Sequence, residues 1–257
     1  MTSFLMAIVR ALRFIVIVLI IGLGAIPLLV LSLFPLRTKR GAHLAAYVAV
    51  GMARAFVWVV NMRLRTSNAQ AIREHEGLLL ANHLSFIDIV ILISHAPMRF
   101  LSTAGVRNLP VIGQMAVALD TIFVKRGKKE SRTEARQELV KQLEAQRYPP
   151  LVLFPEGVIG PGDEVQEFRH GAFEIAIQTQ TRCLPCAIVY NPLAPVHFFD
   201  WSDTLPGIVW QIVTHPGRID VMVTPLPVLD PLEYTDAVQM AEETHRSISS
   251  EYRKAFS

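Results

Sequence analysis

The sequence predicts an α/β domain, a mixed sheet flanked by helices, behind an N-terminal membrane-anchoring helical segment. Three observations predict it. A run of 23 uncharged residues lies near the start of the chain, short apolar runs alternate with helical patterns through the rest, and charge is divided unevenly between the two parts. The 257 residues are 51% hydrophobic and 18% charged, and the mean hydropathy is +0.36. Soluble domains carry about 25% charged residues, so an ordinary cytosolic globule is disfavoured, and a disordered chain is excluded by the same apolar excess.

The uncharged run is Phe14–Leu36, flanked by Arg10 and Arg13 before it and Arg37, Lys39 and Arg40 after it. A helix rising 1.5 Å per residue crosses a bilayer core of roughly 30 Å in about 20 residues. Cleavable leaders have apolar cores of about 7–15 residues, so this run is expected to be a retained anchor. Pro27 would kink a spanning helix or turn a re-entrant one, and basic residues on both flanks leave the orientation open. His43–Met62 is apolar but interrupted by Arg54, which predicts a helix lying in the interface. The expected domains are therefore 1–65, anchor and interfacial helix, and 66–257, the α/β domain.

A pI near 9.0 would ordinarily suggest nucleic acid, but the charge lies elsewhere. Residues 1–73 hold nine Lys or Arg and no Asp or Glu; residues 74–257 hold sixteen basic against 22 acidic residues, and +9 with −6 gives the overall +3. The basic part is the apolar part, so the partner predicted there is the anionic surface of a membrane, not nucleic acid.

After a polar break at Thr66–Gln70, strands are predicted at Gly77–Ala81, Arg99–Ser102, Thr121–Val124, Leu151–Phe154, Cys183–Val189 and Ile219–Val223. Helices are predicted at Phe86–Ser94, Val111–Leu119, Lys129–Gln146, Ala172–Thr179 and Pro231–Lys254. Interleaving of this kind gives a largely buried sheet with helices against it, and functional groups on the loops at strand ends. The C-L-P-C pair, Cys183 and Cys186, leads into a strand pattern and has no second pair for zinc, so a buried strand is expected and no disulfide.

Three loops carry candidate chemistry. Asn82-His83-Leu84-Ser85-Phe86-Ile87-Asp88 follows a predicted strand. An imidazole takes a proton from a hydroxyl near neutral pH, and a carboxylate on its other nitrogen orients it. Residues five apart on one helix point about 140° apart, so the pair meets only if His83 lies in the loop and Asp88 in the first turn, with Ser85 as N-cap. Ser85-x-x-Asp88 is equally a capping box, in which Asp88 only satisfies backbone donors. In the second loop a strand ends at Lys125-Arg126-Gly127, presenting a guanidinium suited to phosphate, whereas Arg132 and Arg136 sit among Glu130, Glu134 and Glu138 as a solvated helix face. In the third, Phe154-Pro155-Glu156-Gly157 stops a strand at a turn and is expected to leave Glu156 on display.

In this order the three resemble the motifs of the 1-acylglycerol-3-phosphate acyltransferase family of glycerolipid acyltransferases. Asn-His-x4-Asp is matched by Asn82, His83 and Asp88. A Gly-x-Ile-Phe-Ile-x-Arg pattern is matched by Ile122, Phe123 and Arg126, and Phe-Pro-Glu-Gly by residues 154–157. A hydrophobic-Pro-hydrophobic strand resembles Leu184-Pro185-Cys186-Ala187-Ile188, and the likeness covers residues 75–190. It implies a glycerolipid-acyltransferase-like fold and transfer of an acyl chain from a thioester (acyl-CoA or acyl-carrier protein) to the free hydroxyl of a lysoglycerolipid, lysophosphatidic acid first among them. His83 is implied as general base and Asp88 as its orienting partner. Asn82, Arg126, Phe154, Pro155, Glu156 and Gly157 are implied at the substrate, with Arg126 on the acceptor's phosphate. Neither cofactor nor metal is implied, and the expected location is the membrane, with the active site on its cytoplasmic face.

The departures point to a rival acceptor. Asp120 stands where the second motif has Gly, and Val158-Ile159-Gly160 replaces the Thr-Arg-Ser that commonly follows Phe-Pro-Glu-Gly. A hydroxyl and a guanidinium near the acceptor are thus missing. Arg169 is a candidate substitute; alternatively the acceptor is another lysolipid, such as an amino-acid lipid. A catalytically silent membrane scaffold is the rival of another class, disfavoured by the intact His83 and Asp88. The aromatics Phe198, Phe199, Trp201 and Trp210 are expected in a packed core, the alternative being contact with acyl chains or membrane.

Overall fold

The structure is a computed structural model that describes residues 3–109, 112–124, 129–193 and 205–254. Helices α1 (Ser3–Ser32) and α2 (Leu44–Val59) come first and pack on one another. The α/β domain follows as β1 (Met62–Thr66), α3 (Ala69–Glu74), β2 (Leu78–Ala81), α4 (Ile87–Ile93), β3 (Arg99–Thr103), α5 (Ala104–Arg107), α6 (Ile112–Ala118) and β4 (Ile122–Val124). It continues with α7 (Lys129–Ala145), β5 (Leu151–Leu153), α8 (Gly171–Thr179), β6 (Cys183–Asn191), α9 (Leu205–Thr214), β7 (Ile219–Pro225) and α10 (Ala237–Lys254).

The seven strands form one mixed sheet in the order β1-β7-β6-β2-β5-β3-β4. All neighbours are parallel except β6 and β7. Every residue of β2 and β5 is buried, as are the first eight of β6. Strands covered on both faces read as continuous apolar runs, which is why Leu78-Leu79-Leu80-Ala81 shows no alternation. Cys183 and Cys186 are free thiols within β6, raised far above the ordinary thiol range by burial and therefore inert.

Several boundaries differ from expectation. β1 belongs to the sheet, pairing with β7 from Met62↔Ile219 to Thr66↔Val223, so the sheet begins inside the segment assigned to the anchor. The polar break holds α3, started by the Asn68 side chain accepting from the Ala71 N–H. Pro231–Lys254 is a 3-10 turn at Pro231–Glu233 followed by α10, because Asp236 accepts from the Val238 and Gln239 N–H groups and restarts the helix. The side chain of Arg136 is paired with Glu174 of α8.

α1 runs unbroken through Pro27, so no hairpin turns there. It is long and apolar enough to cross a membrane. Ile8, Leu12, Ile15, Leu19, Leu23, Ile26 and Val30 recur at helical spacing and are all exposed, an apolar stripe along the helix. Both ends of the helix are tied to the α/β domain. Near its start, Arg10 and Arg13 donate to the carbonyls of Thr214 (3.1 Å) and His215 (2.9 Å) at the end of α9, while Phe14 meets Trp210 edge-on at 6.1 Å. Beyond its end, Arg37 makes a bidentate pair with Asp120 (2.9 and 3.1 Å) and Arg40 pairs with Glu76 (3.1 Å). α2 buries one face, with Ala45, Ala46, Ala49, Val50, Met52, Ala53 and Val57, and leaves Tyr47, Arg54 and Trp58 exposed on the other. Trp210, expected in the core, is 56% exposed; Phe198, Phe199 and Trp201 lie outside the described residues.

The topology fixes where the site must lie. β2 and β6 are parallel and register Ala81 with Cys186, so the loop leaving β2 sits beside the C-terminal half of β6. The antiparallel β6–β7 pair, registering Asn191 with Asp220, returns the chain at that same edge, so α9 and the start of α1 gather there too.

Candidate active site

The chain leaves the sheet at Asn82, which is fully buried. Its carboxamide donates to the carbonyl of Ile188 (2.9 Å) and accepts from the Ile188 N–H (2.7 Å). A side chain thus satisfies the backbone groups that another β2 residue would have paired, and β2 can end without orphaning them. Asn82 is a clamp between loop and sheet.

Next comes His83, whose Nδ1 lies 2.8 Å from Asp88 Oδ2. Asp88 is fully buried, and the side chain of His83 is 14% exposed. The same Oδ2 accepts from the N–H groups of Leu84 (2.7 Å) and Ser85 (2.9 Å), and Oδ1 accepts from the Tyr190 hydroxyl (2.7 Å). The two readings of Asp88 share one arrangement: a single carboxylate both accepts the backbone donors before α4 and contacts the imidazole. Ser85 is not the N-cap. That position is Phe86, without a side-chain cap, and Ser85 Oγ instead accepts from the Ile87 N–H (3.2 Å). In the tautomer whose Nδ1 donates to the Asp88 carboxylate, the lone pair lies on Nε2.

The Phe154–Gly157 turn holds His83 from the other side. The Phe154 ring stacks on the imidazole, centroids 4.0 Å apart and planes at 14°. Glu156 Oε1 accepts from the His83 N–H (2.7 Å), Oε2 accepts from the Gln166 N–H (3.1 Å), and the Gly160 N–H donates to the His83 carbonyl (2.8 Å). A Cβ on Gly160 would meet Glu156 Oε2 at 2.9 Å, so glycine leaves room for that carboxylate. Glu156, expected on display, is 3% exposed and turned inward, because two backbone donors beneath the turn need an acceptor. Gly157 takes φ +71, and a Cβ there would lie 3.0 Å from Arg169 Cζ, so the exposed guanidinium of Arg169 rests on the open side of the turn.

Burial raises the Glu156 carboxyl from 4.5 to about 7, against lowering contributions from the His83 and Gln166 N–H bonds. Between these two values the folded protein keeps a proton that the unfolded chain releases. The resulting stability is complete below about pH 4.5 and lost as pH rises to 7, roughly 3 kcal/mol by linkage. His75 and His95, lowered by desolvation, titrate with the opposite sign, so the useful quantity is a difference. In unfolding free energies measured by denaturant from pH 4.5 to 7.5, wild type should lose stability relative to Glu156→Gln as pH rises. A gap independent of pH would show that Glu156 does not titrate there.

His83, Asp88, Asn82, Phe154, Pro155, Glu156 and Gly157 are thus brought together at one sheet edge. Arg126 lies outside the described residues. Asp120, in place of the expected Gly, keeps the left-handed backbone that glycine would supply (φ +52) and adds the Arg37 pair. Tyr190 was missed, although a hydroxyl in a strand expected to be wholly buried must find a partner.

A mixed sheet thus carries the His83–Asp88 contact at a strand end, with only the carboxylate fully buried, and the chain also holds a helix long and apolar enough to cross a membrane. The family model described as Acyltransferase matches residues 63–189 of the chain. The chain is 32% identical over 171 residues to a lyso-ornithine lipid O-acyltransferase of Pseudomonas aeruginosa, covering 64% of this chain and 65% of that protein, just under two thirds of its length. To a 1-acyl-sn-glycerol-3-phosphate acyltransferase of Neisseria gonorrhoeae it is 25% identical over 176 residues, 66% of this chain and 67% of the other. The crystal structure of the 1-acyl-sn-glycerophosphate (LPA) acyltransferase PlsC from Thermotoga maritima shares the fold, with TM-score 0.70 at 19% identity over 96% of this chain and 98% of that one.

Proposed function

We propose that the protein transfers an acyl group from a thioester, acyl-CoA or acyl-carrier protein, to the free hydroxyl of a lysolipid at a membrane surface. The observation that carries this reading is the His83 imidazole, oriented through Nδ1 by a buried carboxylate and 14% exposed. The acceptor hydroxyl gives its proton to Nε2 of His83 as its oxygen attacks the thioester carbonyl; the C–S bond breaks, and the proton passes to the departing thiolate. Asp88 stabilises the imidazolium between these steps. Because the thioester is already activated, base catalysis and proximity supply most of the acceleration.

An amino-acid lysolipid of the lyso-ornithine kind is the acceptor we favour. Two features support it: the likeness to the Pseudomonas protein, and the apolar Val158-Ile159 where the resemblance implies a phosphate-binding hydroxyl and guanidinium. Arg169, with no ion pair among the described residues, is positioned at Gly157 to take the single carboxylate of such a headgroup. Lysophosphatidic acid is the second reading, supported by the likeness to the Neisseria protein. The stripe on α1 meets the lipid and, with both helix ends tied to the α/β domain, lies along the interface. The cytoplasmic face is the side proposed for the catalytic edge, since buried unpaired thiols suit a reducing compartment.

The test is transfer of labelled palmitoyl-CoA to lyso-ornithine lipid and to lysophosphatidic acid, presented in vesicles with which the protein co-floats. A missing charge-assisted contact is worth about 1.5–3 kcal/mol, so kcat/KM should favour lyso-ornithine lipid by about tenfold or more. Preference for lysophosphatidic acid would replace the first acceptor by the second, and failure to float would remove the membrane half.

A further inference from the structure

The carboxylate of Asp88 receives four hydrogen bonds, and they are unequally shared. Oδ2 takes three, from His83 Nδ1 and the N–H groups of Leu84 and Ser85. Oδ1 takes one among the described residues, from the hydroxyl of Tyr190 at 2.7 Å. Tyr190 stands 102 positions away on β6 and is among the largest fully buried side chains. Its ring is held by the core and its hydroxyl has little freedom to swing away. Two positions earlier on the same strand, Ile188 is the residue that Asn82 grips through its backbone, so β6 braces both ends of the Asn82–Asp88 loop.

We propose that Tyr190 is a positioning residue of the His83–Asp88 pair, whose hydroxyl fixes the Asp88 carboxylate and sets how strongly it holds the imidazole. This rests on the acyl-transfer reading above. A hydrogen bond to one oxygen of a carboxylate draws charge from the other, so Tyr190 weakens the attraction that Asp88 exerts on a protonated His83. Without it, Oδ1 would be a buried carboxylate oxygen lacking a donor, the pair would favour imidazolium, and less free base would be present at neutral pH. Other titratable groups acting on the pair are Glu156, beneath the His83 N–H, and Tyr252, which responds to both Glu156 and Asp88.

The test variant is Tyr190→Phe, which removes one oxygen and keeps the ring. Two readouts are taken: kcat and KM for acyl transfer against pH, and the titration of the His83 imidazole by NMR in the same detergent-solubilised protein. The expected result is a kcat at pH 7 lowered about tenfold and KM values within about twofold. The acid limb of kcat and the His83 midpoint should both move up by about one pH unit. A uniform loss of active protein with an unmoved pH profile would overturn the proposal, as would unchanged kinetics. Absence of acyl transfer in the wild type would instead remove the functional reading, and the His83 midpoint would still decide the role of Tyr190. The wild type offers an independent check if the variant does not fold. The contact requires a slowly exchanging hydroxyl proton assigned to Tyr190, distinct from that of Tyr252 on the Gly162 carbonyl, and its absence would overturn the assignment.

Discussion

His83→Ala is expected to lower acyl transfer by about 10²–10⁴-fold, the range that a positioned general base commonly contributes. The loss should fall on kcat with KM little changed, because the imidazole acts on a proton in flight and does not grip the headgroup. The fold should survive. The hydrogen bonds that hold this position, from its N–H to Glu156 and to its carbonyl from Gly160, are made by the backbone and persist with alanine. Only the stacking on Phe154 and the contact with Asp88 are lost. Initial rates at saturating donor and acceptor, together with the unfolding midpoint, check both halves. Near-normal kcat in a folded variant would remove His83 as the base.

Asp88→Asn should be as damaging to activity and much more damaging to the fold. An amide has one accepting oxygen, whereas four donors converge on this carboxylate from His83, Leu84, Ser85 and Tyr190. Its NH2 must point at least one donor toward another, and each buried donor left unpaired costs about 1–3 kcal/mol. Loss of the negative charge also removes the stabilisation of imidazolium, and the amide can present its own N–H to Nδ1, forcing the tautomer that places hydrogen on Nε2. Activity is expected to fall about 10²–10⁴-fold, with a drop in unfolding free energy that His83→Ala does not share. Equal stability in the two variants would contradict the double role of Asp88.

Much of this site was legible because its pieces are local. Asn82 to Asp88 spans seven residues, and a loop between an apolar strand and an apolar helix can bring His83 back onto Asp88 only in one way. The 154–157 turn is similarly local. The sequence could not show how these pieces join. Glu156 reads as exposed in a turn, because its acceptors' partners, the N–H groups of His83 and Gln166, lie 73 and 10 positions away. Tyr190 is hidden in the same manner by a separation of 102. β1 was missed because Met-Arg-Leu-Arg-Thr is an edge strand, half solvated and following directly on an apolar helix, and its pairing partner is β7 near the other end of the chain. α9 opens with Leu-Pro-Gly, which reads as a turn, and its placement depends on Arg10 and Arg13 meeting its last carbonyls. Local chemistry fixes which residues can react; long-range hydrogen bonds fix how rigidly they are held.

Direct attack by the acceptor hydroxyl, activated by His83, is tested most directly by following the label from radiolabelled acyl-CoA, with and without lysolipid. Label should appear in the diacyl product only when lysolipid and His83 are both present, and none should remain covalently on the protein when lysolipid is omitted. Stoichiometric acylation of the protein in the absence of acceptor, or product formation undiminished in His83→Ala, would contradict it.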